Sequence, residues 1–201
     1  VANSISLGPK GIMVTGSNMS GKSTFLRTIG INAILAQSLC FVTAKSYIAP
    51  IVKVISSISP KDDISQGKSY YLGEAEAMLR IIKAVTGESQ CLCIIDEIFR
   101  GTNPLERISS SAEILKYLVT HRALVVVATH DLELTELSKE SFELYYFSED
   151  VDDQEGISFD YLLKQGVSPT RNAIKLLKYL GYPEEIIEKS KQQLALMEKA
   201  K

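Results

Sequence analysis

The run Gly16-Ser17-Asn18-Met19-Ser20-Gly21-Lys22-Ser23 constrains this 201-residue chain more than any other feature. It fits the pattern G-x-x-x-x-G-K-[ST] without a mismatch. A short apolar stretch, Gly11–Val14, precedes it and reads as a strand. Phe25, Leu26, Ile29, Ala33, Ile34 and Ala36 follow at three- and four-residue spacing and predict a helix. A strand, a glycine-rich turn and a helix in that order make a phosphate cradle. The glycines let the backbone curl so that N–H groups face an anion, and the helix offers it its positive end. Gly16, Ser17, Asn18, Met19, Ser20, Gly21, Lys22, Ser23 and Thr24 are therefore the candidate nucleotide-binding residues. Lys22 would reach the β- and γ-phosphates, and the Ser23 hydroxyl would be a ligand for Mg²⁺. ATP and Mg²⁺ are the expected ligands.

The remaining apolar pattern alternates strands with helices. Val52–Ile58 reads as a strand, with Val52, Val54 and Ile58 set against Lys53 and Ser57. Gly73–Val85 reads as a helix with a stripe of Ala75, Met78, Leu79, Ile82 and Val85. Leu92–Ile95 is a buried strand. Asn103-Pro104 opens a helix with Asn103 as N-cap, Pro104 in the first turn and Glu106 at the capping-box position. Ala123–Thr129 is a further apolar strand. Glu143–Phe147 and Ile157–Leu163 predict a strand pair joined by an acidic, glycine-containing turn. Two helices, Pro169–Leu180 and Pro183–Lys199, are separated by Gly181 as a C-cap. Long apolar strands ending in polar residues predict an α/β fold with a mostly parallel sheet covered by helices on both faces. Ligands in such folds sit beyond the carboxyl ends of the strands. The expected division is a P-loop core over residues 1–165 and a helical C-terminal segment over residues 166–201.

Composition excludes several classes. Apolar residues make up 45% of the chain, as in ordinary globular proteins, and no apolar run is long enough to span a bilayer. No secretory signal opens the sequence, so a cytoplasmic protein without membrane contact is expected. The chain opens on Val1 rather than Met, which suggests a domain excised from a longer protein. A net charge of −2 lacks the basic footprint of an autonomous nucleic-acid binder. Of the three cysteines, Cys91 and Cys93 fall on one sheet face. Buried free thiols fit them better than a zinc site, which needs two pairs at wider spacing.

Leu92–Ile95 ends in Asp96-Glu97. Asp96 would hold Mg²⁺, and Glu97 is placed to polarise an attacking water. The plainer alternative is a strand that ends at the surface in two carboxylates. His130, at the end of Ala128-Thr129-His130-Asp131, could contact the γ-phosphate as a donor or serve as a structural histidine.

Together these residues resemble the MutS family of DNA mismatch-repair ATPases, a branch of the ABC-type P-loop fold. Thr15–Thr24 resembles that family's T-G-P-N-M-G-G-K-S-T, with Asn18-Met19 as the distinctive part. Asp96–Thr102 resembles D-E-I-G-R-G-T, and Ala128-Thr129-His130 resembles its A-T-H switch. Asp62–Tyr71 with Glu74 resembles a segment that reaches across a dimer and sets a serine, here Ser69, against the partner's nucleotide. Tyr161–Leu194, including Gly181-Tyr182-Pro183, resembles the helical region through which subunits dimerise. The resemblance implies an ATPase that forms a homodimer or MutS-type dimer, with catalytic roles for Lys22, Glu97 and His130. It also implies composite ATP sites that gate a DNA clamp, with DNA held by domains upstream of this chain. Three departures stand out. Ser17 replaces a proline and Ser20 a glycine, tolerable if both side chains face out. Phe99 replaces a glycine beside Glu97 and would add bulk near a subunit interface. The competing readings are an ABC ATPase of a transporter or chromosome-organising machine, and a nucleotide-gated assembly module with little turnover. No LSGGQ-like signature precedes Asp96, which disfavours the first.

Overall fold

The computed structural model describes residues 1–58, 70–99, 102–152, 156–168 and 172–199. Six strands make one sheet in the order β2 (Lys53–Ile58), β3 (Cys91–Asp96), β4 (Leu124–Ala128), β1 (Gly11–Thr15), β5 (Phe142–Tyr146) and β8 (Lys164–Gln165). The first five run parallel and β8 joins the edge antiparallel. Parallel neighbours need crossover helices. These are α1 (Lys22–Leu39), α2 (Tyr70–Val85), α3 (Pro104–Thr120) and the short α4 (Leu132–Ser138).

Because successive side chains on a strand point to opposite faces, a central strand covered on both sides is apolar throughout. Strand β3 illustrates this. Leu92 and Ile94 face a cluster with Phe25, Leu26 and Ala33 of α1, together with Ile12, Val14, Val126 and Ala128. Cys91, Cys93 and Ile95 face the opposite cluster, built with Met78, Ile81 and Val85 of α2 and Leu115 and Leu118 of α3. Helix α1 lies so close to β3 that a Cβ on Gly30 would sit 2.6 Å from Ile94 Cδ1. Burial pushes the Cys93 thiol up to about 12 and raises Cys91 as well, so both remain protonated core groups. Cys40, in contrast, is exposed, as the left-handed C-cap of α1.

The helix ends follow local chemistry. Asn103 Oδ1 accepts the Leu105 N–H at 3.0 Å and Pro104 occupies the first turn of α3. Gly181, at φ 78°, closes α5 (Ala173–Tyr179) with two bonds, from its own N–H to Lys178 O and from Tyr182 N–H to Leu177 O. This is the Schellman closure that a glycine at this position favours. Helix α6 (Glu184–Lys199) follows.

Several sequence expectations need correction. Ile34 of α1 and Leu79 of α2 are half exposed, and the buried stripe of α2 is carried by Glu74, Ala77, Met78, Ile81 and Val85. Ser57 of β2 is buried rather than outward. The expected strand pair also divides differently. β5 pairs with β8, while β6 (Glu149–Asp152) and β7 (Gly156–Phe159) form a separate two-stranded hairpin. A strand read from apolar content alone does not reveal its partner, because pairing is decided by which edge is free. The first tail helix begins at Ala173, later than expected.

Candidate phosphate-binding cleft

The parallel register brings the strand ends into one row. Asp96 lies beside Ala128, and Ala128 beside Val14. The ladder then extends by one bond on each strand, with Glu97 N–H donating to Ala128 O and Thr129 N–H to Val14 O. Residues distant in sequence therefore leave the sheet at one edge: the loop after Thr15, the carboxylates at 96 and 97, and His130.

The loop after β1 curls through positive φ at Gly16 (138°), Met19 (70°) and Gly21 (108°). At Gly16 a Cβ would fall 2.6 Å from Phe147 O, so this position admits only glycine without displacement. The first helical bond of α1 is from Phe25 N–H to Gly21 O, which leaves the amides of Lys22, Ser23 and Thr24 ahead of the helical ladder. Gly21 supplies no side-chain cap. Lys22 is only 5% exposed, and its Nζ donates to Gly16 O and Ser17 O at 2.7 Å each. The ammonium is thus folded along the loop it closes. Ser20 is fully buried, and the hydroxyls of Ser17 and Ser20 are both buried without a hydrogen-bond partner. The condition set for the two substitutions, that both side chains face out, is therefore met by neither hydroxyl. Met19 is the loop residue that projects, at 84% exposure.

Ser17, Asn18, Met19, Gly21, Lys22, Ser23 and Thr24 line one side of an open cleft, and Asp96 and Glu97 line the other. Asp96 is buried at the end of β3. Glu97 adopts φ 64°, and its Oε2 lies 2.8 Å from His130 Nδ1. That hydrogen bond holds the His130 pKa above its ordinary 6.5. The charges of Glu97 and Asp131 add to it, and burial and Arg107 oppose it.

Lys22, Ser23, Asp96, Glu97 and His130 are brought together at this edge. Ser69 lies outside the described residues. Phe99 points its ring into the core rather than outward. It is 5% exposed, belongs to the core cluster beneath α2, and sets its ring 5.5 Å from that of Tyr71. Its φ of 57° costs an L-residue roughly 1–2 kcal/mol. Burying the ring returns about 1.5–3 kcal/mol, so packing outweighs the strain.

Two features escaped the sequence reading. An ion pair joins Arg107 Nη2 to Asp131 Oδ1 at 2.6 Å, directly beside His130. Tyr161, at φ 55°, stands against the loop, its Cδ1 3.3 Å from where a Gly21 Cβ would lie. Asn3 holds that turn, donating to Tyr161 O at 2.9 Å and accepting from Leu163 N–H at 2.8 Å. Neither contact has a signal in sequence spacing, since the partners are 24 and 140 residues apart.

Comparison with known proteins gives a consistent result. The family model described as MutS domain V matches residues 12–198. The DNA mismatch repair protein MutS of Petrotoga mobilis is 37% identical over 187 residues, covering 92% of this chain and 23% of that protein. MutS of Caldanaerobacter subterraneus subsp. tengcongensis is 32% identical over 206 residues, covering 100% of this chain and 24% of its own length. MutS of Clostridioides difficile is 37% identical over 191 residues, 93% of this chain and 20% of that protein. The chain thus spans less than a quarter of the length of these curated relatives. With a phosphate-type loop on a parallel sheet and a match running nearly end to end, the chain belongs to the MutS family and corresponds to its domain V.

Proposed function

We propose that this chain is the ATP-binding and ATP-hydrolysing domain of a MutS-like DNA mismatch repair protein, of the ABC type. In this reading it dimerises so that paired ATP sites gate a DNA clamp. The observation that carries the proposal is the meeting of Lys22, Ser23, Asp96 and Glu97 around one cleft.

Lys22 would leave the carbonyls of Gly16 and Ser17 for the β- and γ-phosphates, and the amides ahead of the α1 ladder would take up further phosphate oxygens. The donor set suits Mg²⁺. Among the described residues no cluster of three His, Cys, Asp or Glu side chains is placed to hold an ion. Mg²⁺ needs no such cage, since it keeps waters and phosphate oxygens and takes only one or two protein ligands, here Ser23 and Asp96. When bound, it would neutralise charge that builds on the phosphates. Glu97 would orient the attacking water and accept its proton. His130, which shares a hydrogen bond with Glu97, would hold that carboxylate in place and donate toward the γ-phosphate. Residues 1–165 would form the catalytic core and residues 166–201 the dimerisation segment. Ser69 would complete the partner's site. DNA would be held by parts of the protein outside this chain. No helix among the described residues is long and apolar enough to cross a membrane.

Mixing two inactive variants tests the composite site. Ser69→Ala and Lys22→Ala homodimers should each be inactive. A hybrid dimer would keep one intact site, so an equal mixture should recover about a quarter of wild-type turnover if dimers exchange freely. Absence of recovery would remove Ser69 from the partner's site.

A further inference from the structure

Asp131 stands at the N-cap of α4, where an aspartate ordinarily accepts a bond from its own helix. Its side chain makes no such bond. Oδ1 instead accepts from Arg107 Nη2 at 2.6 Å, with the two side chains 14% and 13% exposed. Arg107 belongs to the first turn of α3, and its Nε is buried without a partner. An ion pair removed from water this far loses much of its Coulomb gain to desolvation, and the unsatisfied Nε adds to the cost. Apolar side chains of similar size would serve stability as well. Unlike them, the pair fixes a direction.

The residue next to Asp131 is His130, whose Nδ1 meets Glu97 Oε2 at 2.8 Å. Its other ring nitrogen lies 3.9 Å from the same Asp131 oxygen that Arg107 holds. The Asp131 N–H is also fixed, donating to Thr129 Oγ1 at 3.0 Å. His130 is half exposed, yet the residue on each side of it is tied, Thr129 through its backbone to the sheet and Asp131 through its side chain to α3. We propose that Arg107 and Asp131 are positioning residues, a latch from the start of α3 to the end of β4 that aims the His130 ring at Glu97. Its effect on turnover rests on the ATPase reading above; the latch itself does not.

The chain has two histidines, so its imidazole nitrogen spectrum contains two sets of signals, and His121 serves as an internal reference. Arg107→Met removes the latch together with a charge that lowers the His130 pKa, so the ring signals are compared at pH values where the imidazole of each chain is in a single protonation state. It should displace the His130 ring signals in the direction seen for Glu97→Gln and leave His121 unmoved. Asp131→Asn should do the same. Each should lower kcat for ATP about tenfold and leave KM nearly unchanged, the pattern of a misaimed group. Arg107→Lys, which keeps the charge but not the planar fork, should recover part of both effects and covers the case in which the methionine variant fails to fold. His130 signals that stay in place in chains with a native melting transition overturn the latch. His130→Ala separates the two claims. If it leaves turnover intact while the latch variants move the ring, the latch stands and the role of His130 in turnover falls. If it abolishes turnover while the latch variants move neither ring nor kcat, the latch falls alone.

Discussion

The two walls of the cleft are built in opposite ways. One wall is a single segment, Gly16–Thr24, whose conformation is set by its own glycines and by the helix it starts. The other is assembled from the end of β3, the end of β4 and the first turn of α3, and its side chains hold one another: Glu97 with His130, and Asp131 with Arg107. A wall made of one segment is damaged most directly where its own backbone or charge is altered. An assembled wall is sensitive to distant supports, because each member is aimed by a neighbour from another element.

The largest effect should come from Glu97→Gln. Removing the carboxylate should slow ATP turnover about a thousandfold while leaving nucleotide binding intact, as measured by steady-state kinetics beside equilibrium titration. Normal turnover would strip the assembled wall of its proposed catalytic role. Phe99→Ala follows, since it empties a buried ring site two residues beyond Glu97. A loss of about 3 kcal/mol in denaturant unfolding is expected, with kcat falling as the 97–99 turn loosens. An unchanged kcat at this loss of stability would mean that the wall does not depend on its anchor. Lys22→Ala should weaken ATP binding about a hundredfold, because the two proposed charge-assisted contacts to phosphate would be lost. Its unfolding midpoint should fall as well, since Lys22 ties Gly16 O and Ser17 O within the loop. Asn103→Ala should cost about 1 kcal/mol through loss of the α3 cap. A disproportionate fall in kcat would show that the start of α3 supports the site.

The smallest effect is the titration of His130. With its pKa raised by Glu97, the extra stability carried by the His130 proton is fully present below about pH 6.5 and is lost as pH rises through the raised midpoint. The imidazole signal should titrate above 6.5 in the wild type and nearer 6.5 in Glu97→Gln. Equal midpoints would break the link between the two side chains.

The local wall was legible in the sequence almost residue by residue. Gly16 and Gly21 occupy backbone conformations suited to glycine, and Asn103, Pro104 and Gly181 cap their helices as their types predict. The errors fall where a residue's surroundings, rather than its type, decide the outcome. Ser20 is of a type ordinarily found at the surface but is fully buried in the loop. Phe99 looked like surface bulk but fills the space under α2. Leu79 fits a helical stripe, yet the face that α2 buries is set by where the sheet lies.

The sequence by itself determined the order of strands and helices from β1 to β4, the phosphate-type loop and the carboxylates that end β3. It could do so because these depend on local backbone preference and on side-chain period. Only the tertiary structure decided that Arg107 meets Asp131, that Tyr161 stands over Gly21, and that β5 takes β8 as its neighbour. Those contacts join residues far apart along the chain. Their geometry follows from strand order and helix placement, which no single stretch of sequence encodes.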